Sequence, residues 1–168
     1  SVLPMALAHA EQKHGVVWCI DPWDAIASTE NQTGKNAEWW GQVNHEEVYQ
    51  SFMGFVKTQG VEEYVNVIRE KSDNVEPPEK IFVLHVDGDH SEQSVRDVER
   101  FASRVVPGGY VFMDDLGWSN MGPRHAADKL LTMGFIELFK RDTGAMYQRS
   151  EGKVPKKRGR PVGRKNKK

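Results

Sequence analysis

The chain has 168 residues, and its balance of 38% hydrophobic and 28% charged residues fits one globular domain with a tail. Its 23 Lys and Arg residues nearly balance 24 acids, but nine of the 23 lie in residues 152–168, which hold no acid. The remaining body is therefore acidic. This argues against a general nucleic-acid surface outside the tail.

We predict a folded domain over residues 1–150 and a basic, disordered tail over 151–168. The lone Cys19 excludes an intramolecular disulfide, and no apolar run approaches the roughly 20 residues of a membrane span. These features predict a cytoplasmic protein without membrane contact, or a nuclear one in a eukaryote because of the basic tail.

The first half of the chain is predicted to contain two helices and two strands. Apolar periodicity predicts helices over residues 2–14 and 45–59. Short apolar runs predict strands over 16–20 and 64–68. Residues 24–44 are polar and rich in Asn, Thr, Ser and Gly, which predicts a long loop or a partly helical lid.

The second half contains a predicted strand, helix and parallel strand. The runs at 81–86 and 110–113 are short and nearly all apolar, as in strands covered on both faces. The helix between them is predicted to begin at an N-cap, Ser91, and to stop at the Pro-Gly-Gly sequence at 107–109. A further helix and a closing hairpin are predicted over residues 125–133, 134–140 and 145–149.

Acidic side chains follow several of these predicted strands. In a parallel sheet the carboxyl ends of the strands share one edge, and ligands bind there. One strand is followed by Asp21, and the later pair is followed by Asp87, Asp89, Asp114 and Asp115. Like charges at such short range raise one another's pKa, so either a cation lies among these acids or some of them are protonated.

Four motifs carry a resemblance to a known family: IDPW (20–23), VDGDH (86–90), VPGGY (106–110) and MDDLGW (113–118). With the element order over residues 1–149, they resemble the class I S-adenosylmethionine-dependent methyltransferases. The similarity is to the branch of small-molecule and sugar O-methyltransferases of the macrocin type. It implies an α/β fold, a Rossmann-like three-layer sandwich with a mostly parallel sheet and an antiparallel last strand.

One part of the family pattern is missing. The family binds its cofactor with a Gly-rich loop between the first strand and the first helix, and this sequence begins at that helix. We therefore expect a fold without its first, central strand, with two strand edges left unpaired. We also expect the chain to be an N-terminal fragment of a longer product, which on its own binds the cofactor weakly or not at all.

The resemblance implies S-adenosylmethionine as the cofactor and assigns residues to it. Asp21 matches the acid that accepts hydrogen bonds from the ribose hydroxyls, and Trp23 lies beside it. Ser72 matches an adenine-side contact, and Asp87 matches a position that borders the cofactor. The alternatives are a solvated loop acid at position 21 and ordinary turn chemistry at position 72.

Asp87, Asp114 and Asp115 also match the divalent-metal ligands of the metal-dependent members, and all-oxygen ligands suit Mg²⁺ or Ca²⁺. A bound cation lowers the pKa of an attacking hydroxyl. In relatives without metal, the acid at position 87 only borders the cofactor. Adjacent Asp114 and Asp115 can both ligate only if the strand ends between them. His85, inside a strand, is predicted to be a core or helix-facing side chain outside the site.

The predicted proton acceptor is Asp89 or His90. Asp89 lies two residues beyond Asp87, on the same side of an extended chain, which suits a general base beside the metal. His90 offers an imidazole, whose intrinsic pKa is close to neutral. The alternative is that Asp89 or His90, together with Ser91, only caps the following helix.

Aromatic side chains near this edge can wall a pocket for the acceptor, a small hydroxylated molecule or a glycan. They are Trp23, Trp39, Trp40 and Trp118. Each can equally be a packing anchor.

The tail contains RGRP at 158–161, which resembles an AT-hook, a short element that inserts arginines into the minor groove of A·T-rich DNA. DNA or RNA contact through residues 153–168 is therefore predicted, although a solubility tail or a localisation signal has the same composition. The competing function is a nucleic-acid-binding protein on an inactive methyltransferase-like scaffold. A third is different metal chemistry at the same edge, such as hydroxylation. The sequence predicts no oligomeric state.

Overall fold

The computed structural model describes residues 2–119 and 121–152, so the predicted AT-hook-like element and nucleic-acid contacts lie outside the described residues. The described part contains six α-helices: α1 Val2–Gln12, α2 Ala25–Thr29, α3 Gly34–Gln42, α4 His45–Thr58, α5 Gln93–Phe101 and α6 Gly122–Thr132. It also contains six strands: β1 Val17–Ile20, β2 Val65–Ile68, β3 Ile81–Val86, β4 Val105–Met113, β5 Phe135–Arg141 and β6 Gly144–Arg149. None of these helices has the length and apolar character needed to cross a bilayer.

The described strands form two sheets. β1 pairs with β2 in parallel, and β3 pairs with β4 in parallel within a four-stranded sheet of order β3-β4-β6-β5. β6 runs antiparallel to both of its neighbours. Within the described residues β1 and β3 each have a single strand neighbour. The predicted Rossmann-like α/β class is confirmed.

Two apolar cores hold the elements together. The larger lies between the four-stranded sheet and helices α5 and α6, where Val98 and Leu130 are completely buried. The smaller joins α1, α4 and β1 through residues such as Ala6 and Val56. Ile20, the last residue of β1, packs against the larger core and so connects the two parts of the molecule.

Residues 24–44 are more regular than predicted, because they form the two short helices α2 and α3. Asp24 caps α2 by accepting a hydrogen bond from the Ala27 N–H over 2.9 Å. Neither helix has a buried residue. Without an apolar stripe for the core, these helices leave no clear periodic signal in the sequence. Of the two predicted forms, a long loop or a partly helical lid, the structure has a partly helical segment.

The Pro-Gly-Gly sequence at 107–109 does not turn the chain between a helix and a strand, as was predicted. The helix ends earlier, at Phe101, and β4 already begins at Val105, which pairs with Ile81. The next aligned pair is Val83 with Tyr110, so residues 106–109 form an irregularity inside the strand. Long-range pairing with β3 therefore overrides the local turn signal.

Helix α6 begins three residues before the predicted start, and its first residue lies against the loop after β3. Gly122 is buried, and a Cβ there would overlap the carbonyl oxygens of His90 and Ser91. Pro123 follows at the first turn, where its missing N–H costs nothing. The absence of a side chain at position 122 is what allows α6 to approach this loop.

Replacing Gly122 with Ala is expected to destabilise the fold, because the new methyl group would displace the 90–91 loop. Overpacking of this kind costs about 1–3 kcal/mol. The measurement is the free energy of unfolding in urea. Gly54→Ala is the matched control, since its Cβ would meet nothing within 4 Å in α4 and alanine favours a helix by about 1 kcal/mol. Equal effects at the two positions would contradict the close contact.

Candidate functional site

The ends of β3 and β4 carry four of the predicted site acids. The ladder continues past β4, because the Asp114 N–H donates to the Val86 carbonyl over 3.1 Å. A small recess of about 10 Å³ opens here, which is far smaller than the roughly 300 Å³ or more of a site for an organic ligand. Its polar lining consists of Asp87, Asp89, His90, Ser94, Asp114 and Asp115. The recess is of a size for an ion and a few ligand atoms.

His85 belongs to this edge, although the sequence predicted a core or helix-facing side chain outside the site. One ligand atom from each of His85, Asp87 and Asp114 lies within 4.8 Å of the other two. The cause is strand alternation: Leu84 and Val86 pack against the larger core, so His85 and Asp87 face the opposite side together. The same alternation in the sequence was the signal that could have identified His85.

Asp115 turns away from this cluster. β4 ends at Met113, before both acids, and Asp115 has a positive φ of 52°. Its N–H donates to Asp114 Oδ1 over 2.9 Å, while its own carboxylate lies 2.7 Å from His90 Nε2. Of the three predicted metal ligands, the structure therefore brings Asp87 and Asp114 together and pairs Asp115 with a histidine.

His90 is held on two sides. Its Nε2 faces Asp115 Oδ2, and its ring stacks on Trp118 with centroids 4.0 Å apart and planes 18° apart. Nδ1 is buried and has no hydrogen-bond partner among the described residues. Because a buried polar atom without a partner is costly, a group from outside the chain is expected to bind Nδ1.

Asp89, the other predicted base, is engaged by the loop that leads into α5. Its Oδ1 accepts a hydrogen bond from the Ser91 N–H over 2.6 Å, and its backbone carbonyl accepts one from the Ser94 hydroxyl. Its Oδ2 lies 3.5 Å from Asn31 Nδ2, between α2 and α3. These contacts resemble the capping alternative more than a free base.

The carboxylates at this edge repel one another, as expected from the sequence. Burial raises the pKa of Asp87, and the charges of Asp114 and Asp115 raise it further. His85 and His90 act in the opposite direction. A cation bound at this edge would relieve the repulsion.

Asp21 follows β1 in a tight turn. Its Oδ1 accepts a hydrogen bond from the Trp23 N–H over 2.7 Å, and burial raises the pKa of this carboxyl. Trp23 has a φ of 42°, a rare conformation for a bulky residue, and its ring packs on Tyr49 and Phe52. The Trp23 ring therefore anchors the turn, and Asp21 Oδ2 accepts no hydrogen bond from the described residues.

Ser72 lies in a short 3₁₀ turn, Ser72–Asn74, after β2. Its hydroxyl donates to Asp97 Oδ1 over 2.6 Å, and Arg100 donates to its carbonyl over 2.6 Å. Burial raises the pKa of Asp97, while hydrogen bonds from Ser72 and Gln93 lower it. Ser72 is therefore tied to α5, and its side chain is already engaged within the protein.

The predicted tryptophan wall is only partly assembled. Trp118 stacks on His90 at the acidic edge. Trp39 and Trp40 instead pack edge to face against each other in α3, and Trp40 also stacks on His45 at the start of α4. Trp118 is therefore the tryptophan that is in ring contact with a predicted site residue.

Residues 1–116, more than half of the chain, match a family described as a methyltransferase domain. The chain belongs to this family. The resemblance to class I S-adenosylmethionine-dependent methyltransferases that the four motifs indicated is thereby confirmed.

Solved methyltransferase structures share the fold of this domain. The O-methyltransferase NovP has a TM-score of 0.64 and 18% identity, with 87% of this chain and 65% of NovP covered. The O-methyltransferase TomG from Streptomyces achromogenes, solved with S-adenosylmethionine, has a TM-score of 0.52 and 12% identity over 88% of this chain and 78% of TomG. This methyltransferase domain thus spans less than two thirds of NovP. No curated protein matches the sequence.

Asp97→Asn is expected to stabilise this methyltransferase domain at neutral pH. The raised pKa of Asp97 means that the folded state holds the proton to a higher pH than the unfolded chain does. The associated stability is fully present below the ordinary pKa of 3.8 and is lost as the pH rises through the folded-state pKa. Asparagine does not ionise, so this loss of stability does not occur. Its Oδ1 can still accept hydrogen bonds from Ser72 and Gln93.

Thermal unfolding at pH 4 and pH 7 checks this expectation. The gain in Tm of Asp97→Asn should be larger at pH 7. Asp128→Asn, at an exposed position of α6, is the matched control for removing one carboxylate. A gain of the same size at both pH values would show that burial of the Asp97 charge is not its cause.

Proposed function

We propose that the protein is an S-adenosylmethionine-dependent methyltransferase that methylates a hydroxyl oxygen of a small molecule or glycan. The observation that carries this proposal is the pairing of His90 with Asp115 next to Asp87 and Asp114, in a chain of the methyltransferase family. A methyl acceptor with a hydroxyl group must lose a proton, and this arrangement provides a group that can take it. NovP and TomG, both described as O-methyltransferases, support oxygen as the acceptor atom.

The cofactor ribose is assigned to Asp21. Its Oδ1 is held by the Trp23 N–H, which orients the carboxylate, and Oδ2 remains to accept from a ribose hydroxyl. Asp87 and the turn at Ser72 are assigned to the same cofactor, with Ser72 at its adenine end. When bound, S-adenosylmethionine supplies the electrophilic methyl group.

The proton acceptor is assigned to His90 rather than Asp89. With Nε2–H donated to Asp115, Nδ1 is the basic nitrogen, and it is the atom that has no hydrogen-bond partner among the described residues. His90 Nδ1 would take the proton of the acceptor hydroxyl as its O–H bond breaks. The oxygen would receive the methyl group that the cofactor supplies, and the electrons of the methyl–sulfur bond would remain with S-adenosylhomocysteine. The Asp115 carboxylate stabilises the resulting imidazolium, and Trp118 fixes the plane of the ring.

A divalent cation is the second assigned component of this edge. Asp87 and Asp114 both line the recess, where a cation would lower the pKa of a bound hydroxyl group. These two residues would hold the ion, and His90 would remain free to accept the proton.

Nucleic-acid contact through residues 153–168 stays a prediction, as does the competing function built on it. A variant without the Asp21 carboxylate distinguishes the two functions. Loss of the Asp21 carboxylate should leave DNA affinity unchanged if the tail binds DNA, whereas it should weaken cofactor binding if the protein is a methyltransferase.

Asp21→Ala is expected to weaken binding of S-adenosylhomocysteine by roughly 10–100-fold, because a hydrogen bond to a charged group contributes about 1.5–3 kcal/mol. Calorimetric titration measures this. Asp128→Ala removes a carboxylate from an exposed position of α6 and should leave the affinity unchanged. Equal affinities of Asp21→Ala and the unmodified protein would remove Asp21 from the cofactor site.

His90→Gln is expected to lower kcat by about 10²–10⁴-fold, the usual contribution of a general base. Asp115→Asn, which acts through His90, should lower kcat and leave KM nearly unchanged. The assay is transfer of a labelled methyl group from S-adenosylmethionine to a panel of catechols and sugars.

His125→Gln is the matched control for this assay. His125 Nδ1 lies 2.8 Å from Glu92 Oε1, so it also belongs to a histidine–carboxylate pair, but this pair is exposed. Full activity of the His90 variant, or an equal loss in the His125 variant, would exclude His90 as the base.

A further inference from the structure

The cluster of His85, Asp87 and Asp114 differs in chemistry from the three carboxylates that the sequence suggested. Its ligand atoms are one imidazole nitrogen and two carboxylate oxygens, all within 4.8 Å of one another. Two of the three residues lie on or directly after β3, and the third follows β4. Strands place such side chains more rigidly than loops do.

The spacing of the cluster suits a small divalent ion. Ligand bonds of about 2.0–2.2 Å place neighbouring ligand atoms roughly 3–4 Å apart around one ion. The present separations, at most 4.8 Å, are close to that range. The Asp114 backbone is held by its hydrogen bond to the Val86 carbonyl.

The imidazole decides which class of ion is favoured. Carboxylates alone suit Mg²⁺ and Ca²⁺, whereas an imidazole nitrogen suits first-row transition ions and zinc. We propose that His85, Asp87 and Asp114 form a binding site for a divalent transition-metal ion of the Co²⁺ and Zn²⁺ type, with Mg²⁺ as a weak competitor.

The backbone keeps Asp115 out of this ligand set. Its positive φ directs the carboxylate to His90 instead, 2.7 Å away. The proton-accepting pair and the ion site are therefore made of different side chains at the same edge. The role of the ion in catalysis rests on the proposed function, whereas binding of the ion does not.

Direct metal binding tests the proposal. Co²⁺, Zn²⁺ and Mg²⁺ are titrated separately into protein pre-treated with a chelator, by calorimetry and, for Co²⁺, by visible absorption. We expect one Zn²⁺ or Co²⁺ site per chain, with a much lower affinity for Mg²⁺. His85→Ala should weaken Zn²⁺ and Co²⁺ at least roughly tenfold and change the Co²⁺ spectrum.

Two control variants make the result specific. His125→Ala removes an exposed histidine of α6, and Asp115→Asn removes the acid that the structure places outside the cluster. Both should retain Zn²⁺ affinity within a factor of a few. If His85→Ala fails to fold, His85→Asn keeps a side chain of similar size and is used instead.

Three outcomes would overturn the proposal: Mg²⁺ binding as tightly as Zn²⁺, unchanged Zn²⁺ affinity without His85, or a loss in Asp115→Asn as large as in Asp87→Asn. Titration of S-adenosylhomocysteine without metal separates this proposal from the proposed function. Failure of metal binding with intact cofactor binding overturns only the ion site. Failure of cofactor binding in the full-length protein with an intact ion site overturns only the methyltransferase proposal.

Discussion

The parallel pairing of β3 with β4 is the constraint on which the site depends. Val86 aligns with Met113, and the next residue, Asp114, continues the ladder with a hydrogen bond back to Val86. The carboxyl ends of the two strands therefore meet at one edge. Any acid that directly follows either strand is forced close to the others, whatever the repulsion costs, because the strands are fixed by the core beneath them.

Backbone conformation divides these crowded acids among different partners. The left-handed conformation of Asp115 directs it to His90, and the turn after β3 directs Asp89 to the Ser91 N–H. Asp87 and Asp114 remain near His85. One acidic edge thus contains a turn-forming acid, a histidine-bound acid and a cluster with the ligand chemistry of an ion site. The arrangement follows from where each strand stops.

The sequence was most informative where a short-range pattern decides the outcome. Apolar runs located every strand, and the structure brings the four acids that follow β3 and β4 to one edge. Three features could not be predicted from the sequence because they depend on distant contacts. The face of β3 that meets the core decides where His85 points, pairing with Ile81 decides where β4 begins, and the φ of Asp115 decides its partner. The bounds of helices α2 and α3 could not be predicted because these helices have no buried residue.

Ile20 links the two parts of the molecule to which the proposed cofactor site and the proposed proton acceptor belong. Asp21 comes directly after it, on the part of the molecule that is built around the smaller core, whereas Asp114 and His90 belong to the part built around the larger one. No strand pairing among the described residues links β1 to β3. Among the described residues, the proposed methyl-donor and acceptor sites are therefore aligned by the packing of Ile20 and by the hydrogen bonds that tie Ser72 to Asp97 and Arg100.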